Sequence, residues 1–340
     1  MQQVSVSQFS ELVTQSFENW AYLKDDVNGW HQVVDENLRA SSEYLINTIE
    51  YHLAYLENAN NCSLVIYDKQ QPIAVWPLNL NNVGETQVLQ SNCKPIMPPI
   101  FSPSVSKKQI KKIYQQCLSL LKAYAQLNAN QFVVCYSPSN DILWQRTLTP
   151  SIQSVDYVQY LLADLSKPLD DIKSDFRKSY RSLINKGLKL WHCDIHHEMS
   201  DKLLEEFRQF HIRTAGKETR SITTWQFQQK MVNSNEAFYI TLRDQAEKIV
   251  GAALFNLSPK QASYSVGVYD RSLFEQPIGH AVQWRAIEHM KSMGVAQYFL
   301  GNRHHLFENS KTNDKESAIG FFKEGFSNQI EIEAHARLIF

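Results

Sequence analysis

The chain has 340 residues, of which 43% are hydrophobic and 20% charged, and its formal net charge is −1. That is the balance of an ordinary globular protein, long enough for two domains. No global field draws it to nucleic acid or to an anionic membrane, so either kind of binding would need a local basic patch.

The five cysteines, Cys62, Cys93, Cys117, Cys135 and Cys193, are scattered and include no C-x-x-C pair. Neither a zinc site nor a redox motif is expected, and reduced, mostly buried thiols in a cytosolic protein are the simplest reading. The stretch Met1 to Glu11 has no basic n-region and no apolar h-region, so no signal peptide is expected. No apolar stretch approaches the ~20 residues that span a bilayer. A cytoplasmic location follows as an expectation.

In chain order, the first part reads as helical. Phe9, Leu12, Val13 and Phe17 recur at helical spacing, and so do Leu45, Ile49, His52, Leu53 and Leu56. His52 is expected in a core or at its boundary. Two apolar runs, 62–67 and 72–80, flank the polar tetrapeptide 68–71 and predict a β-hairpin. Residues 91–104 carry four prolines and no helical period, which predicts a loop. Ile110, Ile113, Tyr114, Cys117, Leu120, Leu121 and Tyr124 mark an amphipathic helix. Residues 131–136 then read as a strand.

The second half repeats this plan. Residues 170–189 and 200–213 look helical. Strands are expected at 237–242, 249–257 and 262–269, a helix at 279–293 and a strand at 296–300. The pattern predicts two tandem α/β units, 1–160 and 161–340. Each has a mixed central sheet flanked by helices, an α/β (α+β) class.

The stretch from Ala262 to Phe326 carries the most chemistry. Gln276-Pro277-Ile278-Gly279-His280-Ala281 fits Q/R-x-x-G-x-G/A between a strand and a helix. A loop entering a helix presents free N–H groups at the positive end of the helix dipole, a ready pyrophosphate site. An ordinary strand–helix turn is the plainer alternative. In the first unit, 91–104 holds the equivalent place, but prolines remove N–H donors there. No cofactor is therefore expected on that unit.

The order of elements resembles the GNAT acyltransferase fold, and the tandem form resembles the Fem family of peptidoglycan-bridge aminoacyltransferases and its acetyltransferase-like relatives. Three segments carry the likeness. They are the basic run Phe176–Gly187, the segment Gly279–Gly294 with Tyr298–Gly301, and the ending Phe322-Lys323-Glu324-Gly325-Phe326.

The resemblance implies acyl transfer from acyl-CoA, acetyl-CoA first, to an amine or hydroxyl of a small acceptor, with no metal. The acceptor would be a cell-envelope or polysaccharide sugar precursor, placed in a cleft between the units. Gln276, Ile278, Gly279, His280 and Ala281 would wrap the donor pyrophosphate. Gly267 marks either a bulge that frees an oxyanion-binding N–H on strand 262–269 or a glycine at a close-packed crossing. Lys323 would face a phosphate or the reacting carbonyl. His305 and Tyr264 are candidates for proton transfer. Arg177 and Arg181, with Lys173 on one helix face, would bind a phosphorylated acceptor; a solvated mixed-charge helix is the alternative. Two rival functions remain: an aminoacyl-tRNA-dependent transferase that uses the basic face for tRNA, and a non-catalytic binding module.

Overall fold

A computed structural model of the chain describes residues 4–37, 40–128, 132–303 and 314–340. The chain divides into two compact units. Unit 1 comprises residues 1–44, 52–158 and 332–340; unit 2 comprises 45–51 and 159–331. Among the described residues, no helix is long and apolar enough to cross a membrane.

Unit 1 is built around buried aromatic rings. Helix Val6–Ser16 starts at a capping box, in which the Ser5 side chain accepts from the Gln8 N–H and the Gln8 side chain reaches back. The 22-residue helix Lys107–Asn128 buries Ile113, Cys117, Leu120, Leu121 and Tyr124, the stripe its sequence periodicity predicts. The expected hairpin is present as Leu64–Asp68 paired antiparallel with Gln71–Trp76. Trp76 and Trp144, both fully buried, meet edge to face at 6.4 Å.

Unit 2 is a sheet covered on both faces. Its strand order is His192–His196, Ala237–Arg243, Ile249–Leu257, Gln261–Tyr269, Gln297–Asn302 and Ile152–Asp164, of which residues 159–164 lie in this unit. All neighbours are antiparallel except Gln261–Tyr269 with Gln297–Asn302. Alternate residues of one strand serve two cores, as a period of two demands. Phe238, Ile240 and Leu242 join Ala253 and Phe255 on the face that helix Ile278–Ser292 covers. Ala237 and Tyr239 join Ala252 and Leu254 on the other, with Phe207 and Trp225 of helices Asp201–Ala215 and Ile222–Asn233.

One expectation needs correction here. The helix expected over 170–189 is two helices, Leu169–Asp175 and Lys178–Leu190. Phe176 and Arg177 between them are extended, with ψ of 156° and 130°. Phe176 turns inward against Trp284 and Phe326, and the Arg177 N–H donates to the Gly325 carbonyl. Lys173, Arg177 and Arg181 therefore do not share one helical stripe. The 13-residue strand Ile152–Asp164 runs through 150–168.

Phe255 is fully buried and stacks on Phe238 at 4.9 Å, so Phe255→Ala should lower the stability of unit 2 by about 3–5 kcal/mol in urea denaturation. A loss under about 1 kcal/mol would show that the ring is not a core anchor.

Candidate active site

The site forms where the parallel pair comes apart. Gln261–Tyr269 and Gln297–Asn302 pair over three residues only, Gln261 with Gln297, Ala262 with Tyr298 and Ser263 with Phe299. Past that point each strand keeps its other neighbour, Ile249–Leu257 and Ile152–Asp164 respectively. The two strands splay.

An irregularity on each strand accompanies the splay. Opposite Ile249–Leu257, Tyr264 faces Phe255 and Val266 faces Leu254, which leaves Ser265 as the extra residue of a bulge. On the other strand, Phe299 faces Leu162 and Gly301 faces Leu161, so the register slips at Leu300. Gly301 has φ +113°, a conformation that side-chain-bearing residues rarely adopt. The bulge is thus at Ser265, two residues before the expected Gly267. Gly267 answers a different need: a Cβ there would collide with the Tyr264 hydroxyl. The glycine makes room for a phenol.

Lys323 and Tyr264 come together in the splay. A Cβ on Gly301 would lie 2.7 Å from Lys323 Nζ, so the glycine also leaves space for this amine. Nζ stands 5.4 Å from the centre of the Tyr264 ring. The ammonium has no hydrogen bond or ion pair among the described residues, and burial lowers its pKa. A desolvated cation of this kind attracts an anionic or strongly polarised ligand. The Tyr264 hydroxyl meets that of Tyr269 at 3.0 Å, and the Tyr298 hydroxyl donates to Gln283 Oε1 at 2.6 Å. Burial, partly offset by the Tyr269 and Gln283 hydrogen bonds, pushes the Tyr264 phenol up to about 12. At neutral pH it is a proton donor, not a base.

The candidate phosphate loop lies at the start of helix Ile278–Ser292. Pro277 is the N-cap and supplies no side-chain hydrogen bond. The Ile278 N–H turns back to the Gln276 carbonyl at 2.8 Å, and the first helical bond runs from the Ala281 N–H to the Pro277 carbonyl at 3.3 Å. Among the described residues, the N–H groups of Gly279 and His280 have no partner. Ile278 and Ala281 are buried, so they could meet a ligand only through their backbone. Gln276 is half-buried.

The close approach permitted by Gly279 is to an aromatic ring: a Cβ there would lie 2.9 Å from Phe322. His280 packs edge-on against Tyr180 at 4.4 Å and Phe322 at 5.2 Å. Its Nε2 is buried without a partner among the described residues. Burial, helped by the nearby Arg177 charge, lowers its pKa to about 4, so the ring is neutral at pH 7.

Arg177 fastens the ending to this cluster. Its guanidinium donates to the Tyr180 hydroxyl and the Phe321 carbonyl, both at 3.1 Å, and lies 3.7 Å over the Phe321 ring. Arg181 instead donates to the Ser174 carbonyl at 2.7 Å on an exposed face. His305 lies outside the described residues. Among those described, no cluster of three or more His, Cys, Asp or Glu is placed to hold a metal ion.

Sequence reasoning missed Ser265, Tyr180 as the link between Arg177 and Phe322, and the role of Gly301. Of these only Gly301 left a usable signal, a glycine ending an apolar strand.

No protein-family model matches the sequence, and no curated protein matches it. Solved structures do. FemX superposes with a TM-score of 0.63 at 11% identity, covering 85% of this chain and 90% of that one. L-PGS from Bacillus licheniformis gives 0.54 at 14%, covering 84% and 85%. A tandem GNAT protein from the clavulanic acid biosynthesis pathway gives 0.51 at 11%, covering 94% and 98%. At such identities the likeness establishes the fold: the chain has the tandem GNAT fold of Fem-like proteins.

Two predictions test the site geometry. The folded-state pKa of His280 is depressed, so its contribution to stability is present above the unfolded value of about 6.5 and is lost as pH falls through about 4. The melting temperature of the wild type should therefore fall more than that of His280→Phe between pH 7 and pH 4; parallel curves would contradict it. Gly301→Ala should displace the Lys323 amine and strain the backbone, at a cost of about 1–3 kcal/mol in denaturant melts.

Proposed function

We propose that the protein is an acyltransferase that moves an acyl group from acyl-CoA, with acetyl-CoA the first choice, to an amine or hydroxyl of a small acceptor. The observation that carries this reading is the splay itself. Next to the uncapped start of helix Ile278–Ser292, a lysine without a counterion among the described residues stands between Gly301 and the Tyr264 ring.

In this reading the N–H groups of Gly279 and His280 hold the donor pyrophosphate at the helix dipole, with Gln276 beside it and the backbone of Ile278 and Ala281 behind. The thioester enters the splay. The bulge at Ser265 leaves a residue out of the ladder, and its N–H is the oxyanion donor; the Lys323 charge adds to it. The acceptor nitrogen or oxygen attacks the carbonyl, and the C–S bond breaks as the new C–N or C–O bond forms. The leaving thiolate takes the Tyr264 proton, which Tyr269 and Gln283 help to deliver. His305 is retained as the base that takes the proton of the nucleophile.

Arg177 acts here by seating the Phe322–Lys323 segment, while Arg181, on an exposed face beside the Ser174 carbonyl, meets a phosphorylated acceptor. The resemblance to the Fem family favours a cell-envelope or polysaccharide precursor as that acceptor. Residues 1–160 are read as a unit without cofactor and 161–340 as the catalytic one, and the cytoplasm is the proposed site of action.

Calorimetric titration with acetyl-CoA should show micromolar binding that Gly279→Trp abolishes. Lys323→Met should keep donor binding but lower transfer to amino-sugar acceptors by roughly 10²–10³-fold. Absence of heat with both acetyl-CoA and desulfo-CoA would sink the coenzyme A reading. Salt-sensitive heat with charged tRNA in its place would move the donor to aminoacyl-tRNA. Silence with every donor would leave the binding-module alternative.

A further inference from the structure

Away from this site, in unit 1, a tight turn presents a cysteine to a histidine. The Ser91 N–H donates to the Lys94 carbonyl at 3.2 Å, and the Lys94 N–H donates to the Ser91 carbonyl at 2.9 Å, with Asn92 and Cys93 at the tip. Cys93 is exposed. Its Sγ lies 3.2 Å from Nδ1 of His52, on helix Ile46–Leu56. The other ring nitrogen, Nε2, faces Glu43 Oε2 at 3.5 Å. Glu43 is held in turn by Lys94 Nζ at 2.5 Å and by Asn92 Nδ2 at 2.8 Å.

Thiol, imidazole and carboxylate thus stand in series, and the carboxylate is fixed by two further donors. This is the arrangement in which a base addresses a nucleophile while a third group orients the base. Neither residue stands out in the sequence, where His52 reads as a core or boundary residue and the cysteines as reduced and mostly buried.

Cys93 and Glu43 face His52; Lys94 and Asn92 face Glu43, and Glu333 and Cys135 act on Lys94. Burial alone would lower the His52 pKa. Hydrogen bonds with Cys93 and Glu43 and the Glu43 charge outweigh it and raise the value to about 9. The ring therefore keeps its proton at neutral pH, beside the sulfur. A protonated ring in that place can hand its proton to a leaving thiolate. The other cysteines differ. Cys62, Cys117 and Cys135 are buried, and burial pushes their thiols up, as it does for the half-buried Cys193.

We propose that Cys93, His52 and Glu43 form a nucleophilic thiol site that takes a mixed disulfide from low-molecular-weight disulfides such as oxidised glutathione. Sγ attacks one sulfur of the disulfide. The S–S bond breaks as the new Sγ–S bond forms, and the leaving thiolate takes the His52 proton. One disulfide is consumed and one is made, so no further oxidant is required.

The test uses the full, reduced chain. Exposed to oxidised glutathione near neutral pH and mapped by peptide mass, it should carry the adduct first on Cys93. The rate should exceed that at Cys193, and that at Cys93 in His52→Phe, by about tenfold or more. Equal rates in wild type and variant would overturn the proposal. A second readout needs no variant: in the wild type the glutathione adduct on Cys93 should form about tenfold or more faster than on a reduced peptide spanning residues 88–98, where His52 and Glu43 are absent. Equal rates in protein and peptide would overturn it as well.

Discussion

Unit 2 depends on one constraint: the parallel contact between Gln261–Tyr269 and Gln297–Asn302 lasts three residues and then ends. A parallel neighbour requires a crossover, and helix Ile278–Ser292 supplies it by packing on the sheet face through Ile278, Ala281, Val282, Ala286 and Ile287. The start of this helix is thereby held close to the strand ends. The splay opens space between two strands that each remain paired on their outer side, so it costs no whole ladder. The bulge at Ser265 and the left-handed Gly301 are the local backbone forms that let the strands diverge.

The C-terminal segment turns that opening into a chemical environment. Helix Asp314–Glu324 ends with Phe322 on Gly279 and Lys323 on Gly301, so successive residues reach the helix start and the strand end. Its placement is over-determined. Arg177 grips the Phe321 carbonyl, the Tyr180 hydroxyl donates to the Phe322 carbonyl, and Arg303 pairs with Glu324 at 2.7 Å. Rings at Phe176, Tyr180, His280, Phe322 and Phe326 fill the space between. Tyr180, Phe322 and Phe326 exclude the water that would otherwise solvate His280, and burial lowers the pKa of His280 and of Lys323. The same packing that orders the ending gives its charge a use.

How much of this was legible in the sequence depends on what fixes each part. The hairpin 237–257 and the helix after Pro277 follow from periodicity, because burial on alternate residues or on every third and fourth leaves a pattern. The break at Phe176–Arg177 left none. Both residues are acceptable in a helix, and the chain departs from it for a distant carbonyl at Gly325 and a ring at Phe326. The strand Ile152–Asp164 is half-exposed over much of its length and so lacks clean alternation. Gly267 pointed to a close approach but not to which partner, and that partner proved to be a phenol three residues earlier. Residue types at the site could be listed from sequence, but the pairing of Lys323 with Gly301 could not, since it joins elements with no shared period.

The most direct measurement of the central claim is a crystal structure with an acetyl-CoA analogue in which a methylene replaces the thioester sulfur. The account predicts the pyrophosphate on the Gly279 and His280 N–H groups and the acyl carbonyl in the splay, within hydrogen-bonding reach of Lys323 or the Ser265 backbone. Ligand bound elsewhere on the chain, or an empty splay at saturating ligand, would contradict it.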